Sequence, residues 1–282
     1  MTGRTDVLIT AETLVSRLAA GEPVTVLDVR WMLSEPDGRD RYLQGHVPGA
    51  VYVSLDDELT DHTVPGRGRH PLPPGPRVQA AARRWGIRNG QPVVVYDDWN
   101  RAGSSRAWWV LTAAGIPDVR ILDGGWSAWK AAGGPVQTGS ADPAPGDVRV
   151  AHQDLYAGAL PTLTADEVSN GPLLDARAPE RFRGEVEPVD AVAGHIPGAR
   201  NLPSTVLLSG EETFLDGTSL AGLLAERGID PGDGTVGVYC GSGITAAVTV
   251  AALTAAGRDA ALFPGSWSQW SSDPDRPVAR GE

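Results

Sequence analysis

The residue types most able to do chemistry stand together late in the sequence. An apolar run at 236–239 leads into Cys240-Gly241-Ser242-Gly243-Ile244-Thr245-Ala246, and an alanine-rich stretch follows. A strand, a cysteine, Gly-x-Gly and a helix in that order place a thiol beyond the carboxyl end of a strand, where open α/β sheets bind ligands. The glycines let loop amides turn inward, and the helix N-terminus behind them adds partial positive charge. Both favour the thiolate, which is the nucleophilic form of cysteine. A buried cysteine serving as a small hydrophobe is the bland alternative. The loop around Cys240 makes covalent chemistry the better reading.

That loop has a counterpart without the cysteine, because the chain repeats itself. Val26-Leu27-Asp28-Val29-Arg30 returns as Leu173-Leu174-Asp175-Ala176-Arg177, and Gly45-His46-Val47-Pro48-Gly49-Ala50 as Gly194-His195-Ile196-Pro197-Gly198-Ala199. Val94-Val95-Tyr96, Leu111-Thr112-Ala113-Ala114-Gly115 and Gly125-Trp126-Ser127-Ala128-Trp129 return in the same order at 237–239, 253–257 and 266–270. Repeats in a fixed order imply a duplicated domain. The duplication acts as an internal control. Features in both copies serve the fold: His46 and His195 in the shared turn, the Asp28/Arg30 and Asp175/Arg177 pairs, and the tryptophans at helical spacing. Chemistry belongs to what differs, and after the central run the first copy has Asp97-Asp98-Trp99-Asn100-Arg101 where the second has the Cys240 loop.

Each copy alternates short β-branched runs with alanine-rich stretches. Strands are expected at 24–27, 93–96 and 120–122, and again at 173–175, 236–239 and 260–263. Helices are expected at 11–20, 78–85 and 105–114, and at 165–169, where Thr164 and Glu167 have capping-box spacing. The alternation implies an α/β fold in which each copy is a mostly parallel sheet flanked by helices. A Gly-, Pro-, Ala- and Asp-rich stretch from Gly133 to Asp147 separates the copies. The expected division is a domain at 1–135, a linker at 136–160 and a second domain at 161–282.

Composition excludes several functions. The chain of 282 residues has a net charge of −11, opposite to what a nucleic-acid partner requires. No apolar run has the ~20 residues of a membrane helix. Acidic residues near the N-terminus replace the apolar core of a signal peptide, so a cytoplasmic location is expected. One cysteine excludes an intrachain disulfide and a multi-cysteine zinc site. Neither a P-loop nor a dinucleotide fingerprint occurs, and the five histidines lack metal-ligand spacing with carboxylates. No cofactor or metal is expected.

With the duplication and the loop CGSGITA in view, the chain resembles the tandem-domain rhodanese-type sulfurtransferases over nearly its whole length. The loop is similar to the CGSGxTA loop of their 3-mercaptopyruvate branch. The thiosulfate-preferring branch usually has basic residues where Gly241 and Ser242 stand. The resemblance implies an inactive first copy, with Asp97 in the cysteine position. It implies a Cys240 persulfide, formed from a small anionic sulfur donor and unloaded by a thiol or cyanide. Gly241, Gly243, Ile244 and Thr245 would hold the sulfur with backbone amides, so that Cys240 through Thr245 present six amides to it. It also implies catalytic roles for Ser242, His70 and Asp56 in a proton relay, and for Arg181 in binding the donor's carboxylate. The family's second arginine, shortly before the His195 turn, is missing from Val186-Glu187-Pro188-Val189-Asp190-Ala191-Val192-Ala193. Arg183 is a substitute to consider, and Arg101 and Arg106, near the inactive site, are cations that could also face the cleft between the two copies.

Three other readings are weighed against this one. Cysteine phosphatases need an arginine six positions after the nucleophile's own place in the loop, yet Cys240–Leu253 contains no cation. A thiosulfate:cyanide sulfurtransferase differs in donor alone. A non-catalytic sulfur carrier would not need an intact loop. With no second cysteine to resolve it, the persulfide needs an external acceptor such as cyanide, glutathione or thioredoxin.

Overall fold

Parallel strands cannot be joined by tight turns, so each must be followed by a crossover that returns the chain to the same edge. The computed structural model, which describes residues 3–282, contains two sheets built in that way. In the first, β1 (Leu8–Ile9), β2 (Thr25–Asp28), β3 (Val51–Tyr52), β4 (Val93–Tyr96) and β5 (Val119–Leu122) lie in the order β1-β5-β4-β2-β3. In the second, β6 (Leu173–Asp175), β7 (Arg200–Asn201), β8 (Val236–Tyr239) and β9 (Ala260–Leu262) lie in the order β7-β6-β8-β9. All the strand pairings are parallel, among the described residues. Where the first copy has β1 beside β5, the second has an isolated parallel bridge from Thr162 to Leu262. The two sheets therefore share one topology.

The expected strands are present, β4, β6 and β8 with the bounds read from sequence. One expected helix is not. Residues 165–169 form turns. Glu167 does reach back to the Thr164 N–H at 2.8 Å, but the Thr164 hydroxyl donates to the same carboxylate instead of accepting from the Glu167 amide. That amide bonds Thr164 O at 3.1 Å, and Gly171-Pro172 and the start of β6 leave no length for a further turn.

Residues common to both copies hold equivalent positions. Tyr96 Oη and Tyr239 Oη each accept from the turn, from Val47 N and Ile196 N, both at 3.1 Å. His46 and His195 are buried with Nδ1 at 2.9 Å from Tyr42 O and 2.8 Å from Phe182 O. Arg30–Asp28 and Arg177–Asp175 are buried ion pairs at 3.0 and 2.6 Å.

The helices after the two central strands, Ala102–Ala113 and Thr245–Ala255, pack on each other across the domain interface and are buried on nearly every side. A helix without a polar face belongs in a core, and these two supply the middle of one apolar cluster shared by both sheets. Their pairing turns the loops before them towards one cleft. Residues 136–160 are largely irregular and strapped to the first copy. Ala151 N–H bonds Ala114 O at 2.9 Å, Gly75 N–H bonds Gln153 O at 2.8 Å, and Val148 and Leu155 are buried. Among the described residues no helix is long and apolar enough to cross a membrane.

Candidate active site

Cys240 follows β8 directly and is buried. The chain here is pinned by the segment that begins the last helix, Ser266–Trp270. Cys240 N–H donates to Ser266 Oγ at 3.1 Å, Cys240 O accepts from Trp267 N–H at 3.0 Å, and Gly241 O accepts from Ser268 N–H at 2.9 Å. The loop then doubles back so that Gly243 N–H donates to Cys240 Sγ at 3.1 Å. Gly243 has φ +82°, and a Cβ there would lie 2.5 Å from Pro264 O, so only glycine fits. Of the six amides expected to face the sulfur, Gly243 is the one at hydrogen-bond distance of Sγ among the described residues. Ile244 is buried, and Thr245 opens the helix Thr245–Ala255.

The first copy shows how the same frame is closed. Asp97 O accepts from Trp126 N–H at 2.9 Å, as Cys240 O does from Trp267. The Asp97 carboxylate is buried, accepts from Ser104 N–H and Oγ at 2.8 and 2.7 Å, and pairs with Arg101 at 3.1 Å. Burial pushes this carboxyl above its usual range. Arg101, itself wholly buried, continues to Glu212 of the other domain at 3.3 Å. Its guanidinium occupies the space over Gly125, where any Cβ would overlap it. The second copy has Ser266 at that place. Arg101 therefore fills the place in the first copy that corresponds to the Cys240 loop, with its guanidinium engaged by Asp97 and Glu212.

A cavity of about 260 Å³ opens over Cys240, Gly241, Ser242, Ile244 and Thr245. Arg181 borders it from the second domain, and Trp31, Arg69 and Trp99 close it from the first. Ser242 is buried, and its hydroxyl makes no hydrogen bond among the described residues. His70, expected on a Pro-rich loop, is mostly buried, with Nε2 3.4 Å from Asp56 Oδ1, a contact too poorly aligned for a hydrogen bond. Burial pushes the His70 ring below its ordinary value of 6.5, with Asp56 opposing, while His70 holds the Asp56 carboxyl low. The ring is thus neutral near pH 7. With Nε2–H assigned towards the carboxylate, Nδ1 carries the lone pair, and it is buried without a partner. The structure joins His70 to Asp56 but forms no hydrogen bond from either to Ser242.

Arg106 connects the two halves. It is wholly buried and donates to Leu59 O at 3.1 Å and His70 O at 3.0 Å in the first domain, and to Gly243 O at 3.4 Å in the second. No carboxylate pairs with it among the described residues, and burial pushes its guanidinium down to about 10. It is a structural cation beneath the loop, and it does not line the cavity.

Arg181 lies at the end of the short helix Pro179–Phe182 and bonds Glu187 at 2.6 Å and Asp190 at 3.5 Å. Arg183 points elsewhere, gripping Glu185 with two bonds of 2.7 and 2.9 Å, and does not replace the missing arginine. Sequence reasoning passed over Arg69, which reaches the cavity and pairs with Asp190. Its signal was its place beside His70.

A model of the rhodanese-like domain matches residues 10–132 and again residues 160–273. The chain belongs to the rhodanese-like family. A Mycobacterium tuberculosis member named "Putative thiosulfate sulfurtransferase SseB" is 65% identical, over 100% of this chain and 99% of that protein. A Pseudomonas aeruginosa member named "Probable 3-mercaptopyruvate sulfurtransferase" is 42% identical, over 98% of each. The crystal structure of the 3-mercaptopyruvate sulfotransferase SseA from Escherichia coli matches with a TM-score of 0.80 at 30% identity, over 93% of this chain and 98% of that one. These rhodanese-like relatives share the duplicated architecture from end to end, and their names divide over the donor.

Proposed function

We propose that 3-mercaptopyruvate is the donor of this sulfurtransferase, with Cys240 as the nucleophile. The observation that carries the choice of donor is the Asp56–His70 pair, its imidazole mostly buried and its carboxylate partly exposed, set in the first domain against the Cys240 loop of the second. Thiosulfate leaves as sulfite and needs no such pair. Mercaptopyruvate leaves as an enolate that must be protonated.

In this reading the Cys240 thiolate attacks the donor's sulfur. The S–S bond forms, the C–S bond breaks, and its electron pair goes to the methylene carbon of the enolate. The donor's thiol proton is released as the persulfide becomes anionic, and the enolate takes up a proton to give pyruvate. Ser242 is the group that moves this proton, with neutral His70 and the Asp56 carboxylate completing the relay once the donor is bound. Arg181 holds the carboxylate as a planar, two-point donor. The outer sulfur of the persulfide stands about 2 Å beyond Sγ, where the amides of Gly241 through Thr245 can face it. Cyanide then attacks that outer sulfur, leaves as thiocyanate and restores the thiolate; a thiol acceptor such as thioredoxin attacks the same atom, takes it as its own persulfide and likewise restores the thiolate. Covalent transfer in two halves predicts ping-pong kinetics. The reading places an inactive copy in 1–135, a linker in 136–160 and the catalytic copy in 161–282, and assigns the protein to the cytoplasm.

Thiosulfate is the second reading, favoured by the name of the relative that is 65% identical. The deciding experiment measures kcat/KM for both donors with cyanide, in the wild type and in Ser242→Ala. A preference for mercaptopyruvate of about tenfold, or ~1.4 kcal/mol at the transition state, is expected, and Ser242→Ala should diminish it. A wild-type preference for thiosulfate overturns the assignment. Equal losses with both donors in Ser242→Ala remove Ser242 from the relay.

A further inference from the structure

The segment before the His195 turn carries acids where the resemblance led to an arginine. Glu187 and Asp190 are both nearly buried, with side chains 3% and 8% exposed. Each grips a cation. Glu187 binds Arg181 at 2.6 Å and Arg177 at 3.4 Å; Asp190 gives one oxygen to Arg69 and turns the other to Arg181 at 3.5 Å. A single carboxylate thus lies between an arginine from the first domain and one from the second.

Both guanidinium groups border the residue directly after the nucleophile. A Cβ built on Gly241 would lie 3.1 Å from Arg69 Nη2, and 3.5 and 3.6 Å from the two Nη atoms of Arg181. Both arginines line the cavity over Cys240, whereas Asp190 and Glu187 stand outside its lining. The Arg69 backbone is held by the catalytic domain, since its N–H donates to Ser268 Oγ at 3.1 Å. Ser268 N–H in turn bonds Gly241 O at 2.9 Å. Arg69 and the catalytic loop are therefore referenced to one residue, and the arginine does not depend on a free loop for its position.

We propose that Arg69, supplied across the interface by the inactive copy, is the second carboxylate-binding residue of the Cys240 site and sets its preference for donors bearing a carboxylate. The proposal rests on the reading of an anionic, carboxylate-bearing donor. Two planar guanidinium groups converging on one cavity match a carboxylate by geometry as well as charge. Geometry matters here, because Glu187 and Asp190 offset the formal charge of the two arginines. The inactive domain contributes a binding residue as well as a wall.

Alkylation of Cys240 tests this without requiring sulfur transfer, and the single cysteine makes the reaction unambiguous. Iodoacetate carries a carboxylate, and iodoacetamide is its neutral analogue. The ratio of their rates reports how well the site receives a carboxylate. In Arg69→Ala the ratio should fall about fivefold or more through the iodoacetate rate, with the iodoacetamide rate held within twofold. Arg69→Lys should fall between Ala and wild type, and KM for mercaptopyruvate should rise in Arg69→Ala more than kcat falls. An unchanged ratio in Arg69→Ala, or equal changes with both reagents, overturns the proposal. A lowered ratio in a protein whose wild type prefers thiosulfate leaves the role of Arg69 standing and removes mercaptopyruvate as donor.

Discussion

Ser266 holds the backbone of Cys240, and replacing it separates two opposing energies. It is wholly buried, accepts from Cys240 N–H at 3.1 Å and donates to Phe263 O at 3.0 Å. It does so with φ +53°, a left-handed conformation that costs a non-glycine residue about 1 kcal/mol. Ser266→Ala removes the hydroxyl and leaves the buried Cys240 N–H without a partner, a loss of about 1–3 kcal/mol, while keeping the backbone strain. Ser266→Gly suffers the same loss but relieves the strain, so it should be the more stable variant by about 1 kcal/mol. The first copy shows that glycine is at ease in this place, since Gly125 has the same φ of +53°. Urea unfolding of the three proteins should rank wild type first, Ser266→Gly second and Ser266→Ala last, with Ala about 2 kcal/mol below wild type. An alanine variant at least as stable as the glycine variant would refute the reasoning, because the strain would then have no energetic weight.

Two further outcomes follow from the site. Cys240→Ser should abolish thiocyanate formation and hardly change the melting temperature, the two side chains being nearly equal in size; turnover above background removes Cys240 as nucleophile. For His70, burial lowers the folded value below 6.5, so the neutral ring persists to lower pH. The acid limb of kcat/KM for mercaptopyruvate should therefore lie below pH 6.5. Asp56→Asn should move it lower still, because the carboxylate is what favours the protonated ring. A limb above pH 6.5 would contradict a buried, neutral relay histidine.

Local sequence carried much of this fold. Periodicity and glycine punctuation act between near neighbours, which is why β2, β4, β5, β6, β8 and β9 were legible while β1, β3 and β7, two residues each, were not. Such short strands have no period of their own and exist because a neighbouring strand offers hydrogen bonds. The helix expected at 165–169 failed for a related reason, a cap pattern in a segment too short to propagate. The Cys240 loop was legible because its chemistry is built from consecutive residues and because the first copy lacked it. The filled inactive site was half legible: Asp97 was visible, but the room that Gly125 leaves for Arg101 was not.

Contacts between residues far apart in the chain depend on how the two sheets dock. Docking brought Arg69 beside Arg181 through Asp190, whereas the Arg183–Glu185 and His70–Asp56 contacts form within one copy. The sequence showed a missing arginine within one segment. Docking of the two apolar helices Ala102–Ala113 and Thr245–Ala255 set a guanidinium from the other domain next to Gly241. Nearest-neighbour stereochemistry determines strands, turns and the cysteine loop, whereas the charge that the first copy brings to the cavity over Cys240 is set by interface packing between segments more than a hundred residues apart.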